Sequence, residues 1–310
     1  MIEVEELRKE YGELVAVDGV SFTAEGGAVF GLLGPNGAGK TTTIGCVSGL
    51  QRPTAGRVRV MGHDVVLDGP AARAHLGVVP QDLALYEDLS ATENLLYWAS
   101  AYGLRGDRLK QRITASLEVT GLLDRAKEPV KQFSGGMKRR LNFACGIVHE
   151  PRVLLLDEPT VGVDPQSRVR LQELVKAQAA TGTCVLYTTH YMEEAETLCD
   201  RLAIIDHGKL IAQGTLDELR AMLGERDLLR LSGRFPSETQ IAAALGGREG
   251  VEIVQAEEES LIVAAPQASR ELPALLAALT RVGAEIRETT MSRPSLETLF
   301  IKLTGKELRE

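Results

Sequence analysis

The feature that most limits this chain is the run Gly34-Pro35-Asn36-Gly37-Ala38-Gly39-Lys40-Thr41-Thr42, which follows a compact apolar segment at 28–33 and precedes a helix-like segment reaching residue 50. Strand, glycine loop and helix in that order are the setting in which a G-x-x-x-x-G-K-[ST] pattern works. Glycines let the backbone fold closely around phosphate oxygens, so that successive N–H groups and the start of the helix point at the anion. Lys40 counters charge on the β- and γ-phosphates of a nucleotide. The Thr41 hydroxyl is set to reach Mg²⁺, which keeps several waters and bridges phosphate oxygens. The competing reading, a glycine-rich turn with an incidental lysine, fits this complete context poorly.

A second signal lies at 153–158, where Val-Leu-Leu-Leu ends in Asp157-Glu158. Four apolar residues make a buried strand, and open α/β sheets bind ligands at the carboxyl ends of their strands. Asp157 there can hold Mg²⁺ or one of its waters, while Glu158 can orient and deprotonate a water attacking the γ-phosphate. Alone, the pair is equally an exposed acidic turn; the upstream phosphate loop favours chemistry.

The surrounding pattern is that of an α/β protein with a second, smaller domain. Residues 1–26 alternate apolar and polar around a turn at Tyr11-Gly12, as two antiparallel strands at a sheet edge do. Residues 83–150 turn helical and contain the single Trp98. Strand signals return at 153–156, 183–187 and 202–206, with a helix at 165–180, and the alternation implies a parallel sheet. A charged helix and hinge at 219–227 lead to strand 228–231, helix 238–245, strands 251–256 and 261–265, helix 270–282 and strand 284–291. This βαββαβ order is ferredoxin-like. A last amphipathic helix places Leu296, Leu299, Phe300 and Leu303 on one face.

Composition sets bounds on function. With 310 residues, 44% hydrophobic and 25% charged, the chain can bury a substantial core without disorder. Its net charge of −8 argues against general binding to nucleic acid or anionic lipid. No apolar run reaches the ~18 residues that cross a bilayer, and Met-Ile-Glu-Val-Glu-Glu does not read as a signal peptide, so a cytosolic chain is expected. Cys46, Cys145, Cys184 and Cys199 lack metal-site spacing and read as reduced packing residues. His63, His75, His149 and His207 form no metal-spaced cluster.

Further loops fall in an order that resembles the nucleotide-binding domain of ABC transporters over about residues 1–222, with a helical subdomain near 83–150 and an accessory domain at 223–310. Phe133-Ser134-Gly135-Gly136-Met137 resembles the LSGGQ signature, with Phe133 and Met137 departing from it. Physically it is a hydroxyl and two glycine amides at a helix start, another anion site, or else an ordinary capped helix. The resemblance implies that this loop completes the ATP site of a second subunit, giving a head-to-tail dimer around two ATP molecules. Gln81 resembles the Q-loop glutamine that contacts Mg²⁺, His190 the switch histidine at the γ-phosphate, Tyr11 the aromatic that stacks on adenine, and Asp164 the D-loop aspartate. A surface Gln, a structural His and an edge-turn Tyr are the plain alternatives. Lys138-Arg-Arg-Leu-Asn and the ending Pro294-Ser-Leu-Glu-Thr-Leu-Phe are similar to the multidrug and antibiotic-resistance branch.

That resemblance implies an ATPase subunit on the cytoplasmic face, bound to a separate ABC-2-type permease and to a second copy or homologous cassette. It further implies export of a drug, antibiotic, lipid or ion. In that branch the C-terminal extension serves dimerisation or regulation. A soluble ABC ATPase acting on ribosomes or DNA, and an ATP-binding regulator without turnover, are the rivals. The first commonly has paired cassettes; the second often loses Glu158 or His190.

Overall fold

The hairpin expected around Tyr11-Gly12 is formed by β1 (Ile2–Tyr11) and β2 (Leu14–Ala24), with Tyr11 opposite Leu14 and Gly12 at φ 60°. These strands come from a computed structural model that describes residues 1–222, 227–246, 250–266, 268–292 and 295–304. The chain divides into two compact units, Met1–Gln213 and the residues from Gly214 on.

In the first unit β1 also pairs with β4 (Ala55–Val60), which carries β5 (His63–Asp64), giving the antiparallel order β2-β1-β4-β5. The second sheet uses β3 (Val29–Leu33), β6 (Leu76–Val79), β7 (Val153–Asp157), β8 (Cys184–Thr189), β9 (Arg201–Asp206) and β10 (Lys209–Gly214) in the order β10-β9-β3-β8-β7-β6. Its β9-β3-β8-β7-β6 ladders are parallel. Every residue of β3, β7 and β8 is buried, which is why these segments read as continuous apolar runs rather than alternating ones. Each fully buried Leu of β7 contributes about 1.5–3 kcal/mol by leaving water.

Helices α1 (Lys40–Val47) and α2 (Gly69–Ala74) pack near the strands, and α3 (Ala91–Ala101), α4 (Gly106–Val119) and α5 (Gly135–Ile147) build the helical insertion. The insertion has its own core, with Leu95, Leu117, Leu122, Leu141 and Val148 buried together. Its start at α3 is fixed by a capping box in which Ser90 and Glu93 satisfy each other's backbone N–H groups. α6 (Pro165–Ala180) and α7 (Met192–Leu198) follow β7 and β8. All four cysteines are free and buried; burial pushes the Cys46 thiol up to about 11, so it stays protonated at neutral pH.

The second unit begins with α8 (Leu216–Ala221); the rest of the expected hinge helix, 223–226, lies outside the described residues, as does Pro294. It continues as β11 (Asp227–Arg234), α9 (Glu238–Leu245), β12 (Glu252–Ala256), β13 (Ser260–Ala265), α10 (Ala268–Arg281), β14 (Glu285–Ser292) and α11 (Leu296–Thr304). The order β12-β13-β11-β14 is the ferredoxin-like arrangement, with α9 and α10 on one face. α11 covers the other: Ile301 joins Leu228, Ile262 and Ala264 in a small cluster. The expected face of α11 needs one correction, because Leu303 is 42% exposed and Ile301 is buried in its place.

Close packing of α5 on β6 rests on two glycines. A Cβ at Gly77 would overlap the Gly146 carbonyl oxygen and crowd Pro151. Gly77→Ala should therefore lower unfolding stability by about 1–3 kcal/mol in denaturant titration, the usual cost of overpacking; an unchanged midpoint would mean that α5 is not held this tightly.

Candidate active site

The carboxyl ends of β3, β7 and β8 meet at one spot because the register sets Leu33 beside Thr189 and Asp157 beside Thr188. From β3 the chain turns into the glycine loop. Gly39 sits at φ 101° with the Ala16 carbonyl against the place a Cβ would take, so only glycine fits. Gly34, Ala38 and Lys40 are buried, Pro35 and Gly39 half-buried, and Asn36 and Gly37 exposed at the tip. Lys40 Nζ donates to the carbonyls of Gly34 at 2.7 Å and Pro35 at 2.9 Å, and pairs with Glu158 Oε1 at 2.9 Å.

Glu158 is the residue under most constraint. Its φ of 42° lies in the left-handed region, which a non-glycine residue adopts at a cost of order 1–3 kcal/mol. The Glu158 N–H donates to Thr188 Oγ1 at 2.9 Å, and Oε2 lies 3.1 Å from His190 Nδ1. One buried carboxylate thus spans the lysine of the loop and the histidine after β8. Beside it, Asp157 Oδ1 accepts from Thr188 Oγ1 at 2.7 Å and Thr41 Oγ1 at 3.3 Å. Burial, helped by the nearby Glu158 charge, raises the Asp157 carboxyl above the usual range, against the opposing hydrogen bonds and Lys40.

The pairing of Thr41 hydroxyl and Asp157 carboxylate supplies hard oxygen donors at the edge of the phosphate loop, a set that fits Mg²⁺. Thr41 is exposed and Thr42 half-buried. Gln81 is exposed on the loop after β6, its carbonyl accepting from Arg139 Nη1 at 2.6 Å. Tyr11 is exposed, its hydroxyl donating to Gln51 Oε1 and its ring 4.8 Å from Lys9 Nζ.

Lys40, Thr41, Asp157, Glu158 and His190 come together; the signature residues do not join them. Ser134 caps α5 by accepting from the Met137 N–H, leaving Ser134 and Gly135 exposed. Gly136 is buried where a Cβ would overlap Ser167. Asp164 caps α6, and hydrogen bonds from Ser167 hold its carboxyl below the ordinary range. Among the described residues no hydrogen bond or ion pair links Ser134, Gly135, Gly136 or Asp164 to Lys40, Asp157 or Glu158.

Two positioning residues escaped the sequence reading. Thr188 holds both Asp157 and Glu158, and its signal was the β-branched pair Thr188-Thr189, which extends β8 past its expected end at 187. Glu194, only 2% exposed, accepts from Tyr187 at 3.1 Å and Thr189 at 2.9 Å and so braces the turn that carries His190. Nothing local in the sequence marks Glu194 as buried.

Comparison with known proteins identifies the family. The sequence profile described as "ABC transporter" matches residues 17–161, and the profile "ATP-binding protein DrrA1-3-like, C-terminal domain" matches 214–304. The chain is 42% identical over 311 residues to the linearmycin resistance ATP-binding protein LnrL of Bacillus subtilis, covering 100% of both. This chain belongs to the ABC transporter family. It is similar as well to the daunorubicin/doxorubicin resistance ATP-binding protein DrrA of Streptomyces peucetius, at 40% identity over 98% of this chain and 92% of that one. A dimeric ATP-binding cassette solved in a post-hydrolysis state with ADP and Pi matches with TM-score 0.62 and 25% identity, over 70% of this chain and 99% of that one. As an ABC ATPase, the chain binds and hydrolyses ATP. Among its described residues no helix is long and apolar enough to cross a membrane, and the family's ATP-binding subunits work with membrane permeases.

The raised carboxyl of Asp157 has a consequence for stability. A folded pKa above the unfolded one means the folded chain holds that proton more tightly, so the buried charge destabilises the fold once pH exceeds the folded pKa. Asp157→Asn should raise the nucleotide-free melting midpoint at neutral pH while abolishing turnover. A lowered midpoint would show that the carboxylate's hydrogen bonds outweigh its desolvation.

Proposed function

We propose that this chain is the ATPase subunit of an exporter, working as a head-to-tail dimer on an ABC-2-type permease at the cytoplasmic face of the membrane. The observation that carries the catalytic part is the Glu158 carboxylate held between Lys40 and His190. Glu158 takes the proton from a water attacking the γ-phosphate, giving ADP and phosphate. His190 keeps the other carboxylate oxygen in place and faces the γ-phosphate, and Lys40 binds the β- and γ-oxygens alongside Gly34, Pro35, Asn36, Gly37, Ala38 and Gly39, with Thr42 at the helix start. Thr41, Asp157 and Gln81 would hold Mg²⁺, which when bound would supply positive charge against the phosphates. Tyr11 stacks on adenine through its exposed ring.

The exposed position of Ser134, Gly135 and Asp164, with Gly136 next in line, supports their use across a dimer, on the ATP held by the other subunit's phosphate loop. ATP touching both subunits favours the closed pair, and loss of the γ-phosphate contact removes that preference. The insertion presents Leu83, Tyr86, Leu89, Leu96 and Tyr97 to solvent beside Gln81, an apolar surface suited to a permease loop. We assign the cassette to 1–222 and an accessory domain to 223–310. The resistance functions in the names LnrL and DrrA favour a drug or antibiotic as cargo.

Glu158→Gln should bind ATP normally and accumulate as an ATP-bound dimer by light scattering. Its turnover should fall by about two orders of magnitude or more, within the range for loss of a general base. Wild-type turnover in that variant would remove Glu158 as the base.

A further inference from the structure

The loop bearing Gln81 is hung from the signature helix by buried polar side chains. Arg139, 8% exposed and one turn into α5, donates to the Gln81 carbonyl at 2.6 Å and to the Val161 carbonyl at 3.2 Å. Asn142, 2% exposed on the same helix, brackets the loop: its Nδ2 donates to Pro80 O at 3.3 Å, and its Oδ1 accepts from the Ala84 N–H at 3.0 Å. Trp98 of α3 closes the set by donating to Ala84 O at 3.2 Å. Gln81 is thus reached from both sides by a helix whose first residues are Gly135 and Gly136, and whose Arg139 touches Val161, three residues before Asp164.

A buried guanidinium without an acidic partner at hydrogen-bonding distance is costly unless its donors are satisfied, so its use on two loop carbonyls fixes geometry rather than adding charge pairing. We infer that Arg139 and Asn142 are positioning residues that join the Gln81 loop, the signature loop and the approach to Asp164 into one mechanical unit. On the reading above, which this inference rests on, Gln81 serves the chain's own ATP while Ser134, Gly135 and Gly136 serve the partner's. Arg139 therefore couples the two ATP sites of the dimer: a displacement of the signature loop by the partner's nucleotide reaches Gln81 through the α5 side chains.

The test is hydrogen exchange followed by mass spectrometry on full-length Glu158→Gln protein, with and without Mg²⁺ and ATP, reading the peptides covering 80–85 and 133–138. With Arg139 intact, ATP should slow exchange in both. Adding Arg139→Met should preserve the response at 133–138 and largely abolish that at 80–85; Arg139→Lys, which keeps a charged donor, should restore part of it. In the otherwise wild-type chain, Arg139→Met should lower kcat more than it raises KM for ATP. If both peptides still respond together in Arg139→Met, the coupling is wrong. If neither responds with Arg139 intact, the assignment of these loops to ATP fails first. Should Arg139→Met not fold, the Arg139→Lys and Asn142→Asp variants carry the same comparison, and an undiminished response at 80–85 in both overturns the inference.

Discussion

The site depends on one carboxylate in an unfavourable backbone conformation. Glu158 follows four buried strand residues, turns at φ 42°, and is fixed by Thr188 through its N–H and by Lys40 and His190 through its two oxygens. Each contact comes from a different stretch of sequence, and each is delivered by the parallel register of β3, β7 and β8. The strain at Glu158 persists because the sheet around it is fully buried and cannot relax locally. Stability of the sheet and placement of the reactive group are the same physical fact.

This arrangement explains why the catalytic groups and the signature residues lie apart within one chain. The sheet ends gather Lys40, Thr41, Asp157, Glu158 and His190. The insertion instead presents Ser134 and Gly135 at the exposed start of α5, followed by Gly136, which is buried where Ser167 leaves no room for a side chain. In the proposed dimer a second subunit completes a site divided in this way, and the buried side chains of α5 are the proposed link between the two halves.

Much of this was legible in the sequence because the decisive residues sit in short motifs with a local mechanism. The glycine loop, Asp157-Glu158 at a strand end and the helix Pro165–Ala180 needed only periodicity and cap chemistry. The ferredoxin-like order of the second unit followed from alternation of strand and helix signals. The stretch 55–79 was not legible: β4, β5, β6 and α2 are short, interrupted by glycine, and owe their pairing to β1 and β7 rather than to their own pattern. The burial of Glu194, Arg139 and Asn142 was invisible for another reason. They are polar residues buried by tertiary contacts, and no one-dimensional pattern separates them from surface residues. Leu303 and Ile301 exchanged places because the face of α11 is defined by the sheet beneath it, not by the best apolar stripe alone.

If each ATP site is shared between two chains, two differently disabled chains should complement each other. Lys40→Ala disables the phosphate loop, and Ser134→Arg blocks the signature; each protein alone should be inactive. Mixed in equal amounts, the two form head-to-tail dimers in which one site retains an intact phosphate loop from one chain and an intact signature from the other. ATP hydrolysis should reappear on mixing. A mixture of folded, dimerising proteins that stays inactive would contradict the shared site.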